Sequence, residues 1–172
     1  MKRVSQLTAL ALLMGLAAAS TSAADTMPTL TLATLQQHNG VAIDTRLSAF
    51  YNGWPQGANG PQGHEPQALN LAASWLGSLN DEQLSAWAKL HNLQASTPIA
   101  LYGNADDNAK VAARLKAAGF THLSSLGGAL SQADRLQKLP HFEQLVYPQW
   151  LHDLQQGKPV TAAPAGHWKV FE

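Results

Sequence analysis

A mainly parallel central sheet flanked by helices, an α/β fold, is the architecture that this 172-residue sequence encodes. Strand-like and helix-like stretches alternate along most of the chain, the pattern that builds parallel sheets. Residues 99–114, IALYGNADDNAKVAAR, add a strand, a loop and a helix in direct succession. Length supplies the third argument: a chain of this size buries one respectable core, and with no cysteine it does so by packing alone.

The elements follow in order. Lys2 and Arg3 precede an apolar stretch over residues 7–19 and then the small residues Ser20-Thr21-Ser22-Ala23-Ala24, the layout of a secretory signal peptide over residues 1–24. It is too short and too alanine-rich for a retained span. The expectation is a soluble exported protein, periplasmic in a Gram-negative cell, with no membrane partner. Cleavage leaves nine basic against eleven acidic side chains, and nothing in that balance suggests nucleic acid.

Val41-Ala42-Ile43-Asp44 reads as an apolar strand and residues 68–71 as a short one. Residues 51–63, rich in Gly, Asn, Gln and Pro, read as a surface loop. Asn80 with Gln83 resembles a capping box opening a helix from Asp81 to about His91, whose apolar face is Leu84, Trp87 and Ala88. Ile99-Ala100-Leu101-Tyr102 after Pro98 suits a buried strand. Val111, Leu115 and Ala118 then recur at helical spacing up to Gly119, and a last strand runs over residues 122–126.

The loop between Tyr102 and that helix is where chemistry would be expected. Amides at a helix N-terminus form an anion site and lower the pKa of a thiol placed there. Its first residue, however, is Gly103. Asn104, Ala105, Asp106, Asp107 and Asn108 complete the loop, and two carboxylates would repel a dianion by on the order of 1 kcal/mol each in a solvated site. Asp106 and Asp107 read first as helix-start residues, favoured by capping or by the dipole, ahead of any ligand-binding role. The seven histidines lack ligand spacing, so no metal is assigned, and no cofactor. No Ser-His-Asp arrangement or phosphate-binding Gly-Lys loop is visible. Trp54, Trp75 and Trp87 read as core or loop anchors, and Trp150 as part of a domain–domain contact.

Four segments in order carry a family resemblance: the strand ending in Asp44-Thr45-Arg46, then Gly63-His64-Glu65-Pro66-Gln67-Ala68, then the loop at Gly103, then Leu126-Gly127-Gly128. This resembles the rhodanese family of sulfurtransferases over roughly residues 30–140. The family pattern runs strand-Asp-x-Arg, Gly-His-Ile-Pro-Gly-Ala, strand-Cys with a loop ending in Arg, and Leu-x-Gly-Gly. The resemblance implies a rhodanese-like fold. It also implies a chemistry in which the loop cysteine takes the outer sulfur of thiosulfate as a persulfide while an arginine five residues on binds the anion. Gly103 stands at the cysteine position and Asn108 at the arginine position, so nucleophile and cation are both missing, and covalent catalysis has no substitute for its nucleophile. Asp44 and Arg46 then read as strand-end partners that fix loop geometry, and His64 as a residue that orients its turn.

An internal echo bears on domain organisation. Leu35-Gln36-Gln37-His38-Asn39-Gly40-Val41 is helix end, turn and strand; Leu154-Gln155-Gln156-Gly157 and then Lys169-Val170-Phe171-Glu172 repeat the logic. The expected division is a signal peptide over 1–24, a cysteine-less rhodanese-like domain over 25–141 and the start of a second such domain over 142–172. The resemblance is to the N-terminal domain of multidomain thiosulfate sulfurtransferases exported by enteric bacteria. Its implied partners are further rhodanese-like domains of the same polypeptide and a sulfur-acceptor protein. Two functions stay open: a non-catalytic domain of such an enzyme, and a self-standing exported module that uses the cradle for a small ligand or a protein partner.

Overall fold

The computed structural model describes residues 27–146 and 148–158, with backbone alone for 148–150. The expected leader and the strand expected at residues 169–172 lie outside these, as does the Trp150 side chain.

Five parallel strands form one sheet in the order β1-β5-β4-β2-β3. These are β1 (Thr29–Leu30), β2 (Val41–Asp44), β3 (Leu69–Asn70), β4 (Ile99–Tyr102) and β5 (Leu123–Leu126). The helices are α1 (Leu32–Gln37), α2 (Ser48–Asn52), α3 (Asp81–Leu90), α4 (Ala105–Ala117) and α5 (Pro148–Gln155). All four residues of the central strand β4 are buried. A strand covered on both faces reads as a continuous apolar run, which is why the IALY segment was legible.

Strand alternation divides the core in two. Ile43, Ile99 and Leu101 pack with Leu84 and Ala88 of α3 and with Val111 and Leu115 of α4. On the other side Ala42, Ala100 and Tyr102 pack with Leu35 of α1, Ala68 and Leu126. The capping box of α3 is formed both ways: Gln83 N–H donates to Asn80 Oδ1 at 2.8 Å and Asn80 N–H to Gln83 Oε1 at 3.0 Å. No helix among the described residues is long and apolar enough to cross a membrane.

Two local expectations need correction. The stretch expected as a surface loop over 51–63 begins inside α2, and its Trp54 is buried edge-on against Phe142 at a ring separation of 4.6 Å. Its Gly- and Asn-rich composition hid the end of a helix, whereas Trp54 is the anchor it was expected to be. Trp75, expected as an anchor, sits in a 3-10 turn at Ala73–Trp75 and is 39% exposed.

Candidate functional site

Parallel register places Asp44 of β2 opposite Tyr102 of β4, so the residues that follow them, Thr45, Arg46 and Gly103, emerge side by side at the carboxyl end of the sheet. In open α/β sheets ligands bind in the crevice at that end. Thr45 N–H donates to Tyr102 O at 2.9 Å, which ties the two exits together.

Gly103 has φ +147, a conformation that side-chain-bearing residues rarely adopt, and a Cβ there would collide with Thr45 Oγ1. The Thr45 hydroxyl lies 3.0 Å from Tyr102 O and 2.8 Å from Asn108 Oδ1, and both are acceptors that share its proton. The two expected site positions, Gly103 and Asn108, are thus brought together, but around a threonine hydroxyl. Asn104 is the N-cap of α4: its Oδ1 accepts from Asp107 N–H at 2.8 Å, and its Nδ2 donates to Asp107 Oδ2 at 2.6 Å. Asn108 N–H donates to Asn104 O at 3.0 Å. Asp106 and Asp107 lie in the first turn of α4, where carboxylates offset the helix dipole. One of the amides that would serve an anion, that of Asp107, is thus taken by the Asn104 cap, and the two carboxylates face the positive end of the dipole.

The Arg46 cation is engaged through two of its three nitrogens, Nη1 being buried without a hydrogen-bond partner among the described residues. Its Nε and Nη2 form a two-pronged pair with Asp44, at 3.0 Å to Oδ1 and 2.6 Å to Oδ2, and Nη2 also donates to Gly63 O at 2.7 Å. Asp44 and Arg46 are both buried. The pair holds the end of β2 to the turn at Gly63. His64 stacks on Tyr51 at 3.9 Å with Nδ1 2.7 Å from Tyr51 O; a carbonyl only accepts, so Nδ1 carries the proton. Gly127 N–H donates to Leu30 O at 2.8 Å, seating the Leu126-Gly127-Gly128 motif on β1 at the opposite edge of the sheet.

Three residues that sequence reasoning passed over complete this region. Glu65 is fully buried: Oε1 accepts from Leu130 N–H at 2.6 Å and Oε2 lies 2.7 Å from Arg135 Nη2. Its own N–H donates to the Tyr102 hydroxyl at 3.0 Å. Burial, and then the charge of Asp44, push the Tyr102 phenol far above its ordinary pKa. The departure of Glu65 from the apolar position of the Gly-His-Ile-Pro pattern was a signal available in the sequence, since a carboxylate there requires a buried partner. For Arg135, 70 residues away, there was none.

The assembly has no thiol, and the Thr45 hydroxyl faces acceptors that are not bases. Among the described residues no group of three or more His, Cys, Asp or Glu is arranged to hold a metal. A groove of about 550 Å³ runs between Met27, Pro28, α4 and Leu123, and no residue of the loop over 103–108 lines it.

No protein-family model matches the chain. The thiosulfate sulfurtransferase YnjE of Escherichia coli (strain K12) is 67% identical over all 172 residues, which are 40% of that protein's length. The crystal structure of YnjE superposes with a TM-score of 0.70 at 66% identity, over 87% of this chain and 36% of that one. A structure of EanB with hercynine gives 0.62 at 23% identity over 80% of this chain and 33% of that one. The anaerobic ergothioneine biosynthesis enzyme from Chlorobium limicola gives 0.61 at 22% over 80% and 34%. The last two share the fold alone. The chain is homologous to a thiosulfate sulfurtransferase over its whole length, spans well under half of that relative, and has its rhodanese-like fold.

Proposed function

We propose that this chain is the non-catalytic, N-terminal rhodanese-like domain of a periplasmic thiosulfate sulfurtransferase, exported by the signal peptide at residues 1–24. The sulfur-transfer step belongs to a cysteine elsewhere in the longer polypeptide: its thiolate attacks the outer sulfur of thiosulfate, the S–S bond breaks, sulfite leaves, and the persulfide passes sulfur to an acceptor. The observation that carries this reading is the loop itself, where Gly103 replaces the nucleophile and the Thr45–Asn108 hydrogen bond occupies the space beside it. The same filling argues against the alternative of an exported module that binds a small ligand in the cradle.

The test compares the 172-residue product with the longer natural polypeptide in a thiosulfate and cyanide assay. The expected result is thiocyanate from the longer protein and none above the uncatalysed rate from this chain. Turnover by this chain, or a cysteine-free longer reading frame, overturns the proposal.

A further inference from the structure

The sequence holds three Asn-Gly dipeptides, Asn39-Gly40, Asn52-Gly53 and Asn59-Gly60, and none of them belongs to the site described above. Chemically they are alike. Glycine has no Cβ, so its backbone nitrogen swings onto the side-chain carbonyl carbon of the preceding asparagine more easily than that of any other residue. What separates the three is how firmly the fold holds each glycine N–H, because a nitrogen committed to a hydrogen bond makes that approach only after the bond opens. Gly40 is locked. Asn39, at φ +52, ends α1 in a Schellman turn: its own N–H donates to Gln36 O at 3.0 Å and the Gly40 N–H to Leu35 O at 2.9 Å. A Cβ on Gly40 would collide with Leu35 and Pro98 O, so the glycine is also tightly packed. Gly53 is locked too. Its N–H donates to Ala49 O at 3.2 Å at the end of α2, the Asn52 carbonyl accepts from Leu139 N–H at 3.0 Å, and the buried Gly53 lies against the Phe142 ring. Asn59 differs on each count. It is exposed in the loop over residues 55–62, and the Gly60 N–H reaches Gly57 O at 3.5 Å, well beyond the usual N–H···O range.

We propose that Asn59 is a site of spontaneous deamidation, the one Asn-Gly pair of the three that the fold leaves reactive. The Gly60 nitrogen gives up its proton to solvent base and attacks Asn59 Cγ. The new N–Cγ bond closes a succinimide ring, the Cγ–Nδ2 bond breaks, and Nδ2 departs as ammonia with a proton from water. Water then opens the ring. Addition at Cγ gives aspartate, whereas addition at the main-chain carbonyl carbon gives isoaspartate, in which the main chain is longer by one methylene. The net change is an exchange of ammonia for water, and nothing is oxidised or reduced. Either product sets a new carboxylate between two fixed points of the fold, the buried Trp54 and Gly63, whose carbonyl accepts from Arg46.

The test incubates the purified 172-residue chain in mildly alkaline buffer, once native and once in urea, and follows each site by peptide mapping that separates the asparagine, aspartate and isoaspartate forms. Each native rate is taken relative to the same site in urea, which removes the influence of neighbouring residues. The expected result is that folding slows Asn39 and Asn52 at least about tenfold more than it slows Asn59, the factor that about 1.4 kcal/mol of local opening supplies. Ammonia release from the native chain should match the loss of Asn59. In Asn59→Gln, whose longer side chain disfavours ring closure, most of that release should disappear. A native ratio smaller than this, or ammonia release that Asn59→Gln leaves unchanged, overturns the proposal.

Discussion

Replacing Gly103 by cysteine restores the sulfur that the loop lacks, and the geometry indicates that it costs the domain a large part of its stability. Two terms add. A side chain held at φ +147 is strained, at about 1–3 kcal/mol for a residue in a sparsely populated region. The new Cβ also displaces the Thr45 hydroxyl from Tyr102 O and Asn108 Oδ1, at about 1 kcal/mol for a lost hydrogen bond. The sum, about 2–4 kcal/mol, is a substantial share of the roughly 5–15 kcal/mol typical of a domain. Urea unfolding under reducing conditions reads it directly. At roughly 2 kcal/mol per molar urea the midpoint falls by about 1–2 M. Gly103→Ala should lose nearly as much, since backbone and contact are the cause rather than the thiol. Thr45→Ala/Gly103→Ala should lose less than the sum of its parts, a coupling of about 1 kcal/mol. Gly103→Cys should form no thiocyanate, because Arg46 is committed to Asp44 and Gly63, and Asn108 offers no cation. A midpoint within experimental error of the parent, or robust turnover by the single variant, refutes the reasoning.

Other outcomes follow from the same geometry. Asp44→Asn leaves the Arg46 guanidinium buried beside a neutral amide and should destabilise the domain by about 3–5 kcal/mol in urea unfolding. Asn104→Ala removes the cap of α4 and should cost about 1 kcal/mol, while Asn104→Ser, which keeps an acceptor for Asp107 N–H and adds no charge beside the Asp107 carboxylate, should cost less. Tyr51 and Tyr102 are both pushed up, by burial first and by the Asp44 charge second. The folded chain therefore retains protons that the unfolded chain releases near pH ~10. The stabilisation is complete below that pH and is lost above it, for Tyr102 by up to about 1.4 kcal/mol per pH unit. Phenolate absorbance should show these two groups titrating late, together with unfolding, and Tyr102→Phe should flatten the alkaline decline.

Some of this was open to sequence reasoning because it rests on neighbours along the chain. The IALY strand is apolar at every position because both of its faces are covered, and α3 announces itself through Asn80 and Gln83, which are three residues apart. Asp44 and Arg46 pair across a single intervening residue, so their spacing already carried the contact. What escaped was short or distant. Strand β1 has two residues, too few for a period, and exists only because β5 offers it an edge. Helix α2 runs into a stretch whose composition signals a turn.

The missing thiol followed from the sequence by itself: a chain without cysteine has no thiol nucleophile in any fold, and two acidic residues in the loop set its charge before any geometry is known. Only the tertiary structure decided that the cradle is filled rather than empty. Thr45 and Asn108 are 63 residues apart, and Glu65 and Arg135 are 70. Polar groups so far apart in the chain carry no mutual signal in one sequence, because their pairing is a consequence of parallel register and of the route taken by the chain after β5. Composition settles which atoms are available, whereas burial and register settle which of them meet.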